Sequence, residues 1–119
     1  MLRDATGKEF KKIIVVCGTT DMRKGIQGLT TIVQCYYGMP LEPGTLFLFR
    51  GKRSDRIKGL LKESDGWLLL YKRLFKGYFR WPRNEQEALE IDPEEFVKLM
   101  TGFTIRERSS IEEVNPKWC

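Results

Sequence analysis

Apolar and polar positions along the chain fall into short blocks of different period. KKIIVVCG (11–18) is a β-branched run closed by Gly18 and predicts a buried strand from about Lys12 to Cys17. In the following TTDMRKGIQGLTTIVQCYYG (19–38), Met22, Ile26, Leu29, Val33 and Tyr36 recur at helical spacing and share one face. Thr20 or Asp21 is a suitable N-cap for that helix, and Gly38 with Pro40 marks its end. On the other side Arg23, Lys24, Gln27, Thr30, Thr31 and Gln34 fall within an arc of about 120°, without a carboxylate. Gly25 and Gly28 cost helix propensity and point to close approach by another element or a ligand.

The next third alternates core and charge. LEPG (41–44) predicts a turn, TLFLFR (45–50) a strand buried on both sides, and RIKGLLKE (56–63) a further strand. SDG (64–66) predicts a hairpin turn supplied by Asp65-Gly66. GWLLLYKRLFKG (66–77) reads as a strand to Tyr71 and then a short helical turn to Lys76, with Leu74 and Phe75 in the core. YFRW (78–81) is extended until Pro82 stops it, and RNEQEALEI (83–91) reads as polar linker. DPEEFVKLMTGF (92–103) carries every helix signal: Asp92 as N-cap, Pro93 at the first position, Glu95 completing a capping box, and Gly102 past the end. Phe96, Leu99, Met100 and Phe103 form its apolar face. These elements predict one α+β domain over residues 1–103: a small antiparallel sheet of about four strands, one long helix packed on it, and a C-terminal helix. Residues 104–119 are expected to form a loose tail.

Composition narrows the chemistry. The 119 residues are 41% hydrophobic and 31% charged, which fits one globular domain. The longest strongly apolar runs, such as Trp67 to Tyr71, are far short of the roughly 20 residues a membrane helix needs. MLRDATGKEFKK has no apolar stretch before the first strand, so a cytoplasmic chain that does not engage membranes is expected. Three cysteines without C-x-x-C spacing read as reduced thiols, two buried and one at the C-terminus. Histidine is absent, which removes the usual neutral-pH general base and the commonest transition-metal ligand. No serine has an activating partner and no Walker-type loop occurs, so neither a metal nor a cofactor is expected.

Charge is unevenly spread. Residues 50–83 hold eleven Lys/Arg against three Asp/Glu, whereas residues 84–119 hold four against nine. Alternate residues of a strand serve opposite faces, and Lys and Arg stems can lie along apolar surface with their heads in water. A segment can therefore be core and cationic surface together. Arg50, Lys52, Arg53, Arg56, Lys58, Lys72, Arg73, Lys76 and Arg80, extended by Arg23 and Lys24, are candidate phosphate ligands. Tyr71, Tyr78 and Trp81 beside Arg80 are candidates for stacking on bases, or for the core.

CGTTDMRKGIQGL (17–29) and LFLFRGKRSDRIKGLLKESDGWLLLYKRLFKGYFRWP (46–82) resemble the TnpB accessory proteins of the IS66 family of bacterial insertion sequences, over roughly residues 12–103. These share only a name with the RNA-guided nuclease TnpB. The motif positions are Asp21, Met22, Arg23, Lys24, Gly25 and Gly28; then Arg50, Arg53, Asp55, Arg56 and Lys58; then Asp65, Gly66, Tyr71, Lys72, Arg73 and Trp81. Where family members often carry an aromatic residue and Trp before the hairpin, this chain has Lys62 and Glu63, and its tail is less basic. The resemblance therefore implies neither stacking at that hairpin nor a DNA role for the tail. It implies a role in transposition beside a separate, larger transposase that holds the catalytic acidic triad, and beside a further small accessory protein.

The resulting expectation is a non-enzymatic accessory protein that binds DNA, such as the element's ends, through the basic residues and assists the transposase. One alternative is a protein–protein adaptor, in which helix 22–36 docks on the transposase and the basic patch meets its acidic surface. A third reading, a Mg²⁺-dependent nuclease, requires two or three of Asp21, Asp55 and Asp65 to converge within about 5 Å.

Overall fold

A computed structural model describes residues 2, 5–37, 42–83 and 88–102. Their order is β1 (Lys12–Thr19), α1 (Ile26–Tyr37), β2 (Thr45–Arg50), β3 (Arg56–Glu63), β4 (Gly66–Arg73), β5 (Ala88–Ile91) and α2 (Pro93–Met100). The sheet order is β4-β3-β2-β1-β5. β1 and β2 run parallel, with Ile14 opposite Phe47, and the other three pairings are antiparallel. The fold is α+β as expected, but the sheet is mixed and has five strands rather than about four antiparallel ones. Two apolar strands separated by a helix form a crossover unit, and that connection makes the pair parallel. Near-continuous burial along β1 and β2 is the corresponding signature of strands covered on both faces.

The two faces of the sheet carry separate cores. On one side Ile14, Val16, Phe47, Phe49 and Leu60 pack against Leu29 and Val33 of α1. On the other, Ile13, Val15, Leu46, Leu48, Ile57 and Leu61 pack against Phe96, Leu99 and Met100 of α2, with Phe10 and Phe79 closing the layer. Strand alternation thus sends neighbouring residues to different helices.

α1 differs from its expected form in three ways. It begins at Ile26, not near Asp21, because Asp21 uses its oxygens locally: its carboxylate accepts from the Arg23 N–H at 2.9 Å and its carbonyl from the Lys24 N–H at 3.1 Å. Arg23 and Lys24 therefore belong to the entry turn and not to a polar helix arc. Within α1, Ile26 is exposed while Thr30 is buried, and both Thr30 and Thr31 hydroxyls donate to the Gln27 carbonyl. Finally, Gly25 faces open space and Gly28 accommodates only the Lys24 stem, so no element presses on either. The close approach occurs at Gly51, where an added Cβ would lie 2.5 Å from Met22 Cγ.

The α2 reading holds in full from Asp92 to Gly102: the capping box, Pro93 and the buried Phe96, Leu99 and Met100 are all in place. β4 continues past Tyr71 to Arg73, and a bend rather than a helical turn follows it. The segment read as linker contributes β5, whose Leu89 and Ile91 are buried. Four residues at an edge are too few for periodicity to stand out, yet they pair with β1. The β3–β4 hairpin is present, but Glu63 pairs with Gly66, so Ser64-Asp65 occupy the two-residue turn. Cys17 is buried as expected, whereas Cys35 is exposed, and neither is in a disulfide among the described residues. Phe103 and the predicted tail lie outside the described residues, as does Cys119.

Gly7 joins the N-terminal segment to α2. Its φ is +85°, and an added Cβ would meet Pro93 Cα at 2.7 Å. Gly7→Ala is expected to lower stability by about 2–3 kcal/mol, combining left-handed backbone cost with a backbone clash. A urea midpoint equal to that of the wild type would contradict this.

Candidate nucleic-acid interface

Strand direction decides where the charges go. β1, β2 and β4 finish, and β3 and β5 start, at one end of the sheet. That end carries Arg23, Lys24, Arg50, Lys52, Arg53, Arg56, Lys58, Lys72, Arg73, Lys76 and Arg80, with Asp21 and Asp55 the acids among the described residues there. The other end carries Glu9, Glu42, Glu63, Asp65, Glu90, Asp92, Glu94 and Glu95 against Lys8, Lys11, Lys12 and Lys62. The described residues are thus electrically polar along the strands. The α1 N-terminus adds partial positive charge to the cationic end, with no acidic residue in its first turn.

The cationic residues divide by what they do. Arg23, Lys24, Lys52, Arg53, Arg73, Lys76 and Arg80 are exposed. Arg23 folds back on Asp21, with Nη2 2.9 Å from Oδ2. Hydrogen bonds from the Arg23 side chain and backbone hold the Asp21 carboxyl far below the usual carboxylate range, and the Arg23 guanidinium is raised in turn. Lys24, Lys52, Arg73, Lys76 and Arg80 have no carboxylate partner among the described residues.

The half-buried and buried members are tied into the fold. Lys58 is only 7% exposed; its Nζ donates to the Lys24 carbonyl at 2.7 Å and lies 5.1 Å from the Tyr71 ring centroid. It fastens the α1 entry turn to β3 and is not placed to meet a partner. Arg50 Nε donates to the Cys17 carbonyl at 3.1 Å, and Trp81 Nε1 donates to the Val16 carbonyl at 2.9 Å. Both contacts fall where the β1–β2 register shifts between Val15 and Thr19. Two side chains distant in sequence thus satisfy carbonyls at the irregular end of β1. Lys72 lies on the α2 side of β4, opposite Arg56, Lys58, Tyr71 and Arg73, because its register partner is Ile57. The cations therefore share one end of the domain but not one sheet face.

Asp55 organises the β2–β3 loop. It accepts from Arg56 Nε at 3.0 Å, with Arg53 Nε at 3.9 Å. The hydrogen bond from Arg56 is the main reason that its carboxyl sits below the ordinary carboxylate range. A depressed folded pKa contributes stability above the unfolded value, about 3.9, and this is lost as pH falls through the folded value. Asp55→Asn is therefore expected to be less stable than the wild type at pH 7, with the gap closing in acid. Urea midpoints at pH 7 and pH 2.5 check this; an equal gap at both would contradict it.

Two aspartates of the nuclease reading sit at opposite ends of β3, Asp55 before it and Asp65 after it, roughly 25 Å apart. Those two do not converge, and among the described residues no group of three or more Asp, Glu or Cys is placed to hold a metal ion. Lys62 Nζ lies 5.2 Å from the Trp67 ring centroid. Sequence reasoning also misplaced Phe75: expected in the core, it is fully exposed beside Arg73 and Lys76. β4 has already ended at Arg73, and Phe75 lies on the bend that follows, two residues before Gly77 with its φ of +87°. Among the described residues no helix is long and apolar enough to cross a membrane.

The family model for IS66 Orf2-like proteins matches residues 11–110. Among curated proteins, the chain is 34% identical over 95 residues to uncharacterized protein y4hO of Sinorhizobium fredii, covering 80% of this chain and 83% of that one. It is 34% identical over 92 residues to uncharacterized protein y4jC of the same strain, covering 77% and 79%. No solved structure matches. With the family model covering both helices, all five strands and the residues of the cationic end, the chain belongs to the IS66 Orf2-like family.

Proposed function

We propose that this protein is a non-catalytic accessory factor in the transposition of an insertion sequence, and that its cationic end engages DNA. It works beside the element's transposase and its other accessory protein. Family membership supports the transposition role. The observation that carries the DNA reading is the segregation of charge among the described residues: exposed Lys24, Lys52, Arg53, Arg73, Lys76 and Arg80 at one end, and most of the described carboxylates at the other. Such a dipole orients the domain toward a polyanion, and guanidinium and ammonium heads on exposed loops reach phosphate oxygens without disturbing the core.

With about six phosphate contacts, the logarithm of duplex affinity falls against the logarithm of salt with a slope near −5. Fluorescence anisotropy on a 20-bp duplex between 50 and 300 mM salt reads this directly. Binding without salt dependence, or no binding at 50 mM, overturns the reading. Pull-down of the transposase after nuclease treatment tests the adaptor reading, which requires charge removal at this end to abolish capture.

A further inference from the structure

We propose that residues 74–79 form a rigid finger that stacks on unpaired DNA bases, with Phe75 as the stacking residue and Tyr78 supporting it. This rests on the DNA reading of the cationic end and adds to duplex binding a preference for single-stranded or locally unpaired DNA.

The finger is pinned at its base. The Leu74 N–H donates to the Asp55 carbonyl at 2.8 Å, and the Phe79 N–H donates to the Ser54 carbonyl at 2.8 Å. Two consecutive carbonyls of the β2–β3 loop thus hold both roots, and Phe79 is buried in the α2-side core. Gly77, at φ +87°, makes the reversal between them. The Asp55 that anchors one root is itself held by Arg56 at 3.0 Å. The projecting residues are therefore presented from a fixed frame, and little ordering remains to be done on binding.

The residues presented are aromatic and cationic in alternation. Phe75 is fully exposed, beyond the 39% of Ile26 and 37% of Val97, so it is not the ordinary partial exposure of a surface residue. Tyr78 is 55% exposed, and the Arg80 guanidinium lies over its ring at 5.3 Å from the centroid. Lys76 follows Phe75, and Arg53 and Arg73 flank the roots. Stacking needs a π-face open to the base and a cation within one nucleotide step for the adjoining phosphate; this segment holds both. A base within an intact duplex has no free face. A ring standing out from a frame therefore selects strands already opened, as arise where an element's ends are cut and joined.

The test compares oligo(dT) of 20 nucleotides, a 20-bp duplex, and the same duplex with a central four-nucleotide bubble, against the full chain and its Phe75→Ala and Phe75→Trp variants. Phe75→Ala is expected to weaken oligo(dT) and bubble binding about 10-fold, at an unchanged salt slope, and to leave duplex binding within about twofold. Phe75→Trp should restore affinity and gain indole fluorescence that oligo(dT) quenches. Equal losses on all three probes, or no loss on any, overturn the stacking proposal while leaving the cationic end intact. Loss of transposase capture with unchanged DNA affinities overturns it in favour of a protein contact. Failure of the wild type to bind any of the probes removes both readings.

Discussion

Replacing Lys52, Arg73 and Lys76 together by alanine is expected to weaken duplex binding by several hundred-fold at about 0.1 M salt. Three lost phosphate contacts remove about 2.7 from the log–log salt slope, and relative to 1 M salt that is roughly a 500-fold change. The loss should be similar for unrelated DNA sequences, because phosphate contacts position a protein without reading bases. These three residues are exposed and have no carboxylate partner among the described residues, so the fold should survive their removal. Choosing Arg50, Arg53 and Arg56 from the sequence alone would confuse binding with stability. Arg50 holds the Cys17 carbonyl and Arg56 holds Asp55. As a control, Lys8→Ala with Lys11→Ala at the opposite end should change affinity less than twofold. Equal losses from the two sets would mean that net charge matters and its placement does not.

Phe96→Ala is expected to cost about 3–5 kcal/mol, a large fraction of a small domain's stability. Phe96 is fully buried where α2 meets the sheet, and its ring meets Phe10 edge-to-face at 5.6 Å between centroids. Truncation leaves a cavity between β1, α2 and the N-terminal segment. The same substitution at Phe75 should move stability by less than about 0.5 kcal/mol, since that ring touches water on all sides. Urea denaturation of both variants measures the contrast. A Phe75→Ala variant as damaged as Phe96→Ala would mean that the finger packs in the core after all.

Local signals read well where they are self-contained. Asp92, Pro93, Glu95 and Gly102 specify α2 within ten residues, because capping chemistry needs only backbone amides one turn away. The buried strands β1, β2 and β3 were legible for a similar reason: each is an apolar run bounded by turn residues. β5 was not, because four residues at an edge carry no period of their own and acquire their meaning from β1. The α1 start was misjudged because Asp21 can cap a helix or close a turn, and the local bonds to Arg23 and Lys24 favour the turn.

The candidate site divides in the same way. Which residues are cationic, and that they crowd into residues 50–80, is a property of the chain itself. So is the apolar patterning that requires a two-faced core, since burial of those side chains drives collapse whatever the topology. Strand direction belongs to the tertiary structure. The crossover makes β1 and β2 parallel and so brings Arg23, Arg50, Arg56 and Arg73 to one end, while Asp65 and Glu95 go to the other. Tertiary packing also separated anchors from free charges, burying Lys58 under the α1 turn and leaving Phe75 on a pinned bend. No local pattern encodes these outcomes, because each depends on a hydrogen bond or contact made across thirty or more residues, or on a bend fixed by a neighbouring loop.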